Sequence, residues 1–144
     1  MTPTHITFDV TGAPKGQPRP KAFSRGGHAR VYDPGTAEGW KGCIAMAALE
    51  CRGIQLDKPL AVTMRFRFPR PKNHFRSNGE LKPAAPIYFT GKPDFDNLEK
   101  AVADCLTQLG LWKDDALICE NHGTYRYTAA GESPGCHITI TDPE

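Results

Sequence analysis

The run LAVTMRFRFP, Leu60 to Pro69, sets every second residue apolar: Leu60, Val62, Met64, Phe66 and Phe68 alternate with Ala61, Thr63, Arg65 and Arg67. Neighbouring side chains of a strand point to opposite faces, so a period of two predicts a half-buried strand, which Pro69 ends. Working outward, HITFDVTG carries Ile6, Phe8 and Val10 at the same period and predicts a second strand near the amino terminus. Between the two, Trp40, Cys43, Ile44, Ala47, Ala48 and Cys51 recur at helical spacing and predict a helix from about Thr36 to Cys51, stopped by Gly53. The segment APKGQPRPKAFSRGGHAR is rich in Pro and Gly and predicts irregular chain over most of its length, with RVYDP a short strand after it.

Downstream, RPKNHFRSNGELKPAAP reads as a long basic loop, and PIYFTG as a return toward the sheet. After Pro93 the stripe Leu98, Ala101, Val102, Cys105, Leu106 and Leu109 predicts a helix from about Asp96 to Gln108, with Gly110 its carboxy-terminal stop. ALICE and TYRYT predict a strand or a hairpin after Asp115, and CHITIT a last strand. The 144 residues suit one domain, 1–144, with no internal repeat. The predicted class is α+β: a mixed β-sheet with two main helices packed on one face.

Charge is distributed unevenly along this chain. Residues 1–92 hold 15 basic and 6 acidic side chains, whereas 93–144 hold 3 and 10. A basic surface beside an acidic cluster suits a protein that attracts a polyanion while holding cations at a reaction centre. The five cysteines match neither a CxxC pair nor a secreted disulfide framework, and the histidines lack zinc-ligand spacing. With no leader-like run and no apolar stretch of membrane-spanning length, a reducing, cytoplasmic setting is expected. Walker A, GxGxxG and GxSxG motifs are absent, so no small-molecule cofactor is expected.

The acidic residues concentrate in GKPDFDNLEKAVADCLTQLGLWKDD, Gly91 to Asp115. Asp94 lies just before the predicted helix and Asp96 in its first turn, with Lys100 and Asp104 four and eight residues beyond Asp96. An Asp at a helix start can simply cap it, and Asp96–Lys100 can be an ordinary i,i+4 pair stabilising by roughly 0.3 kcal/mol. Neither reading accounts for Asp114 and Asp115 a helix-length away. A hard divalent cation held by a few carboxylates would cancel their mutual repulsion, lower the pKa of a bound water and neutralise charge on a phosphate. An EF-hand is excluded, because Leu98 and Glu99 stand where its loop needs Asp or Asn and then Gly.

KPDFDNLEK, the AVADCL helix and DDALI together resemble the signature of the RusA family of Holliday junction resolvases, endonucleases often encoded by prophages. The likeness extends to KGQPRPKAFSRGGHARVYDP, similar to that family's basic segment leading to a tyrosine, here Tyr32, although Pro20-Lys21 stands where an Arg is more usual after the proline. The resemblance implies a RusA-like α+β homodimer that uses Mg²⁺ or Mn²⁺ to cut four-way DNA junctions by paired symmetric nicks. It puts the catalytic aspartates at Asp94, Asp96 and Asp115, which would hold the metal, and the essential lysine at Lys100, which would stabilise charge on the phosphorane. Phosphate contacts would fall to Lys15, Arg19, Lys21, Arg25 and Arg30, and to Arg70, Lys72 and Arg76. Phe23, Phe75 and Trp112 are candidates to stack on bases, Trp112 also reading as core. The rival class is a structure-selective DNA-binding protein whose acidic cluster is structural.

Overall fold

In the computed structural model the described residues are 3–17, 21–25, 28–32 and 35–144, and side chains are described outside 21–36. Along the chain lie β1 (His5–Thr11), β2 (Lys21–Arg25), β3 (His28–Tyr32), α1 (Gly35–Ala47), β4 (Leu60–Phe68), α2 (Phe95–Gln108), β5 (Ile118–Tyr127) and β6 (Gly135–Thr141). Four strands form one sheet in the order β1-β6-β4-β5, and β2 pairs with β3 in a separate ribbon. β6 runs antiparallel to both its neighbours, whereas β4 and β5 are parallel. The sheet is therefore mixed, as the α+β reading requires.

The period-two run builds the centre of this sheet. Leu60, Val62, Met64, Phe66 and Phe68 are buried, and Arg65 between them is exposed. Their face meets Phe8 and Val10 of β1 and Cys136, Ile138 and Ile140 of β6 in a single core. Trp40, Ile44, Ala48 and Cys51 close it from α1 and the 3-10 turn Ala48–Cys51 that continues it, and Leu98, Val102, Cys105 and Leu106 close it from α2. Both helices thus cover the same face, because each has one apolar stripe and the sheet has one apolar side.

Two local expectations change. The Pro- and Gly-rich segment contains a hairpin, β2–β3, in which Lys21 pairs with Tyr32, Phe23 with Arg30, and Arg25 with His28. Strand pairing satisfies its backbone where composition alone predicted irregular chain. Of the strand or hairpin expected for ALICE and TYRYT, the structure shows the strand, β5, because the parallel register with β4 runs from Leu60–Ile118 to Phe68–Tyr127 with a single shift after Leu60. Leu109 leaves the apolar stripe and is half exposed, since it caps the end of α2 rather than completing a turn of it. PIYFTG returns to the sheet as a short bridge: Phe89 N–H donates to Tyr125 O and Tyr127 N–H to Ile87 O along the outer edge of β5.

The end of α2 directs the chain back toward the helix. Gly110 has φ +82, Leu111 N–H donates to Leu106 O at 3.1 Å and Gly110 N–H to Thr107 O at 3.0 Å. This is a Schellman motif, which satisfies carbonyls the helix leaves unpaired and turns the chain sharply. The turn buries Leu111 and Trp112, whose indole N–H donates to Thr107 Oγ1 at 2.7 Å. Trp112 is core. Asp114 and Asp115 emerge shortly after it, beside the helix they would otherwise have left behind.

Candidate active site

Asp94 is the residue that caps α2, yet its side chain makes no capping hydrogen bond. Its carboxylate instead accepts from Lys92 Nζ at 2.6 Å, in the open. Two residues later Asp96 is exposed and has no hydrogen-bond or ion-pair partner among the described residues. Lys100 is exposed and lies 3.9 Å from Asp104, so its nearest ion pair is with the residue below it rather than with Asp96. At so wide a separation and such exposure this pair contributes little to stability.

The two aspartates after the Schellman turn divide their roles. Asp114 Oδ1 accepts from Ala116 N–H at 2.9 Å and caps the 3-10 turn Asp115–Leu117. Asp115, exposed at the start of that turn, has no partner among the described residues and faces the helix. Asp96, Lys100 and Asp115 line one open cavity of about 300 Å³ together with Phe95, Glu99 and Asn121. Asp96 is shared with a neighbouring cavity of about 470 Å³ that Asp94, Phe89 and Tyr125 also line. The four residues singled out in the sequence therefore sit around adjoining hollows between α2 and β5. Among the described residues no group of three or more His, Cys, Asp or Glu side chains converges closely enough to hold a metal ion.

Glu99 is a site residue that sequence reasoning missed. It is 9% exposed, and its carboxylate accepts from Asn121 Nδ2 and from the Tyr125 hydroxyl, both on β5. Gly123 lies between those two on the same face of the strand. A Cβ there would overlap the Tyr125 hydroxyl and come 2.9 Å from Glu99 Oε2, so the glycine leaves the space into which the carboxylate reaches. Burial and then the Glu99 hydrogen bond push the Tyr125 phenol well above its ordinary pKa and keep it a donor. The result is a polar clamp from α2, which carries Asp96 and Lys100, to the strand that comes after Asp115. The available signal was an acidic residue next to buried Leu98, on the helix flank facing an Asn-x-Gly-x-Tyr strand.

The basic residues fall into four settings. Lys15 stands in a segment tied to α2: Gln17 N–H donates to Asn97 Oδ1 at 3.0 Å and to Asn97 O at 3.3 Å. A Cβ on Gly16 would lie 2.6 Å from Asn97 Nδ2 and 2.9 Å from Pro93 Cβ, so this contact requires the glycine. Arg19 lies outside the described residues, and Lys21, Arg25 and Arg30 are placed only by their backbone in the β2–β3 ribbon. Lys72 and Arg76 are exposed on the loop after β4. Arg70 is held within the fold: it donates to Thr128 O and to Pro86 O, each at 2.7 Å, and lies over the Tyr127 ring.

Residues 11–141 match the family model for the endodeoxyribonuclease RusA. The chain belongs to the RusA family. It is also 30% identical over 140 residues to the uncharacterized protein YqaN of Bacillus subtilis (strain 168), an alignment that covers 95% of this chain and 96% of that protein. RusA-family proteins are endonucleases that resolve Holliday junctions, and branched DNA is the substrate class that membership carries with it. No helix among the described residues is long and apolar enough to cross a membrane.

Proposed function

We propose that this RusA-family chain is a divalent-metal-dependent endodeoxyribonuclease that acts as a homodimer and resolves four-way junctions by paired, symmetric nicks. The observation that carries the reading is the shared cavity of Asp96, Lys100 and Asp115, in which two carboxylates have no partner among the described residues and stand beside a lysine. Unpartnered hard oxygens are the donors that Mg²⁺ or Mn²⁺ takes; Asp94, on the adjoining hollow, is a further carboxylate but is paired with Lys92. Asp96 and Asp115 would hold the ion together with retained waters, and Asp94, which does not converge with them here, would have to leave Lys92 to join them. When bound, it would supply a nucleophilic water at neutral pH and offset charge on the phosphate.

The remaining work falls to the chain's own groups. Lys100 is weakly paired and exposed, so its ammonium is free to swing toward a phosphate and favour the more charged transition state over the ground state. Glu99, held by Asn121 and Tyr125, fixes the helix against β5 and thereby the distance between Asp96 and Asp115. The tether from Gln17 to Asn97 brings the amino-terminal basic segment to the same helix start, where it would hold the phosphate backbone of the strand to be cut.

The test is cleavage of a synthetic four-way junction with and without Mg²⁺. Asp96→Asn and Asp115→Asn are expected to abolish cleavage while leaving junction affinity intact or slightly improved, because each removes a phosphate-repelling charge. Lys100→Ala should lower the rate by about 10²-fold or more at saturating Mg²⁺. Near wild-type cutting by either Asn variant would remove that aspartate from the metal site. Binding without cleavage by the wild-type chain under every metal condition would replace the nuclease with a structure-selective binding protein.

A further inference from the structure

The face of the sheet opposite the helices is not bare. It carries a groove of about 790 Å³ whose walls include Arg65, Arg67, Arg70 and Arg126, and also Asp9 and Glu132. Register puts Arg67 directly opposite Arg126 on neighbouring parallel strands. Like charges so placed destabilise a sheet, and here two more guanidiniums are added within the same groove.

Internal pairing relieves only part of this charge. Asp9 grips Arg67 through two bonds of 2.9 and 3.0 Å, and Glu132 is engaged by Ala129 N–H. Arg70 donates to carbonyl oxygens, which satisfy its N–H groups without cancelling its charge. Arg126 lies over the Tyr88 ring, 5.7 Å from its centroid, and has no carboxylate partner among the described residues. Arg65 is exposed and its guanidinium has no partner there at all. Four guanidiniums thus stand against two carboxylates, since a backbone N–H leaves the charge of Glu132 in place, and the groove keeps a net positive charge in a concave surface, the arrangement that a chain of phosphates complements.

We infer that this groove binds the phosphate backbone of a second DNA arm, on the side of the sheet away from the cutting centre. The inference rests on the proposed junction substrate and says how it is recognised. β5 is the last strand of the sheet, bridged on its outer side only at Tyr125–Tyr127 by Ile87–Phe89, with the candidate active site on one face, through Asn121 and Tyr125, and the groove on the other, through Thr124 and Arg126. A linear duplex held at the active site runs past one face only. A branched molecule sends arms in several directions, so it can reach both faces around the β5 edge and release counterions at each.

The experiment compares wild-type protein with Arg65→Gln/Arg126→Gln, measuring affinity for a long-armed four-way junction and for a linear duplex of equal length across a salt series. The double variant should lose about two units from the slope of log K against log salt on the junction, with little change on the duplex. Arg65→Lys/Arg126→Lys should restore the junction slope, which separates charge from folding. Unchanged junction slopes in the Gln variant, equal losses on both DNAs, or failure of the Lys variant to restore binding would each overturn the inference. So would conversion of a dimer to a monomer by the Gln changes, which would make this face a contact between copies. Junction cutting by the wild-type protein is scored separately: its loss with the branched-DNA slope difference intact would sink the nuclease reading and leave the groove standing.

Discussion

At the scale of the residue, the candidate site is braced by a buried carboxylate that has no cationic partner among the described residues. Glu99 is stabilised by two neutral donors, Asn121 and Tyr125, and a donor lost from such a pair leaves a buried acceptor unsatisfied. Gly123→Ala places a methyl group against the Tyr125 hydroxyl and Glu99 Oε2, and should destabilise by about 1–3 kcal/mol, read from denaturant unfolding. Tyr125 also imposes a sign on pH dependence. Its folded pKa is raised, first by burial and then by Glu99, so its contribution is complete below the unfolded phenol value near ~10 and is lost as pH climbs above it. Tyr125→Phe should therefore be less sensitive than wild type when unfolding midpoints at pH 9 and pH 10.5 are compared. Buried Cys136, raised in the same direction, is present in both proteins and drops out of the comparison.

At the scale of the element, α2 joins the amino-terminal basic segment to the candidate site. Its inner face buries Leu98, Val102 and Leu106, and its first turns present Asp96, Asn97 and Lys100 outward. Asn97→Ala removes the acceptor side chain that holds Gln17, and should raise the Kd for junction DNA about threefold to tenfold while costing no more than ~1.5 kcal/mol of stability. An unchanged Kd would detach the amino-terminal segment from DNA binding. Elements differ in how legible they were because they depend on different kinds of signal. β4 and α2 were plain in the sequence, because period-two and helical stripes are local signals that the core then uses unchanged. The β2–β3 hairpin was not, since its pairing is made between residues whose Pro- and Gly-rich surroundings signal loop. The sequence placed Asp94, Asp96, Lys100 and Asp115 near one another through the family motif. Glu99 stayed hidden because its partners lie 22 and 26 residues away on β5, and only the fold brings them together.

At the scale of the whole molecule, one acidic centre and one basic groove lie on opposite sides of a single sheet, and the substrate sets how many copies are needed. Resolving a four-way junction into two ligatable duplexes requires cuts in two strands of like polarity at equivalent places. One set of Asp94, Asp96, Lys100 and Asp115 would attack one phosphate at a time, and the single core of the described residues carries one such set. A C₂ homodimer meets the requirement, because one operator then relates the two active sites, the two scissile strands and the two basic grooves. Light scattering coupled to size exclusion should accordingly give twice the chain mass of 15.8 kDa. Nick mapping on a junction labelled on each strand in turn should show cuts at symmetry-related positions in opposed strands. If the chain stays monomeric at high concentration and nicks one strand only, paired resolution is excluded. A single-strand nuclease would then remain, with the same cavity performing the same chemistry once.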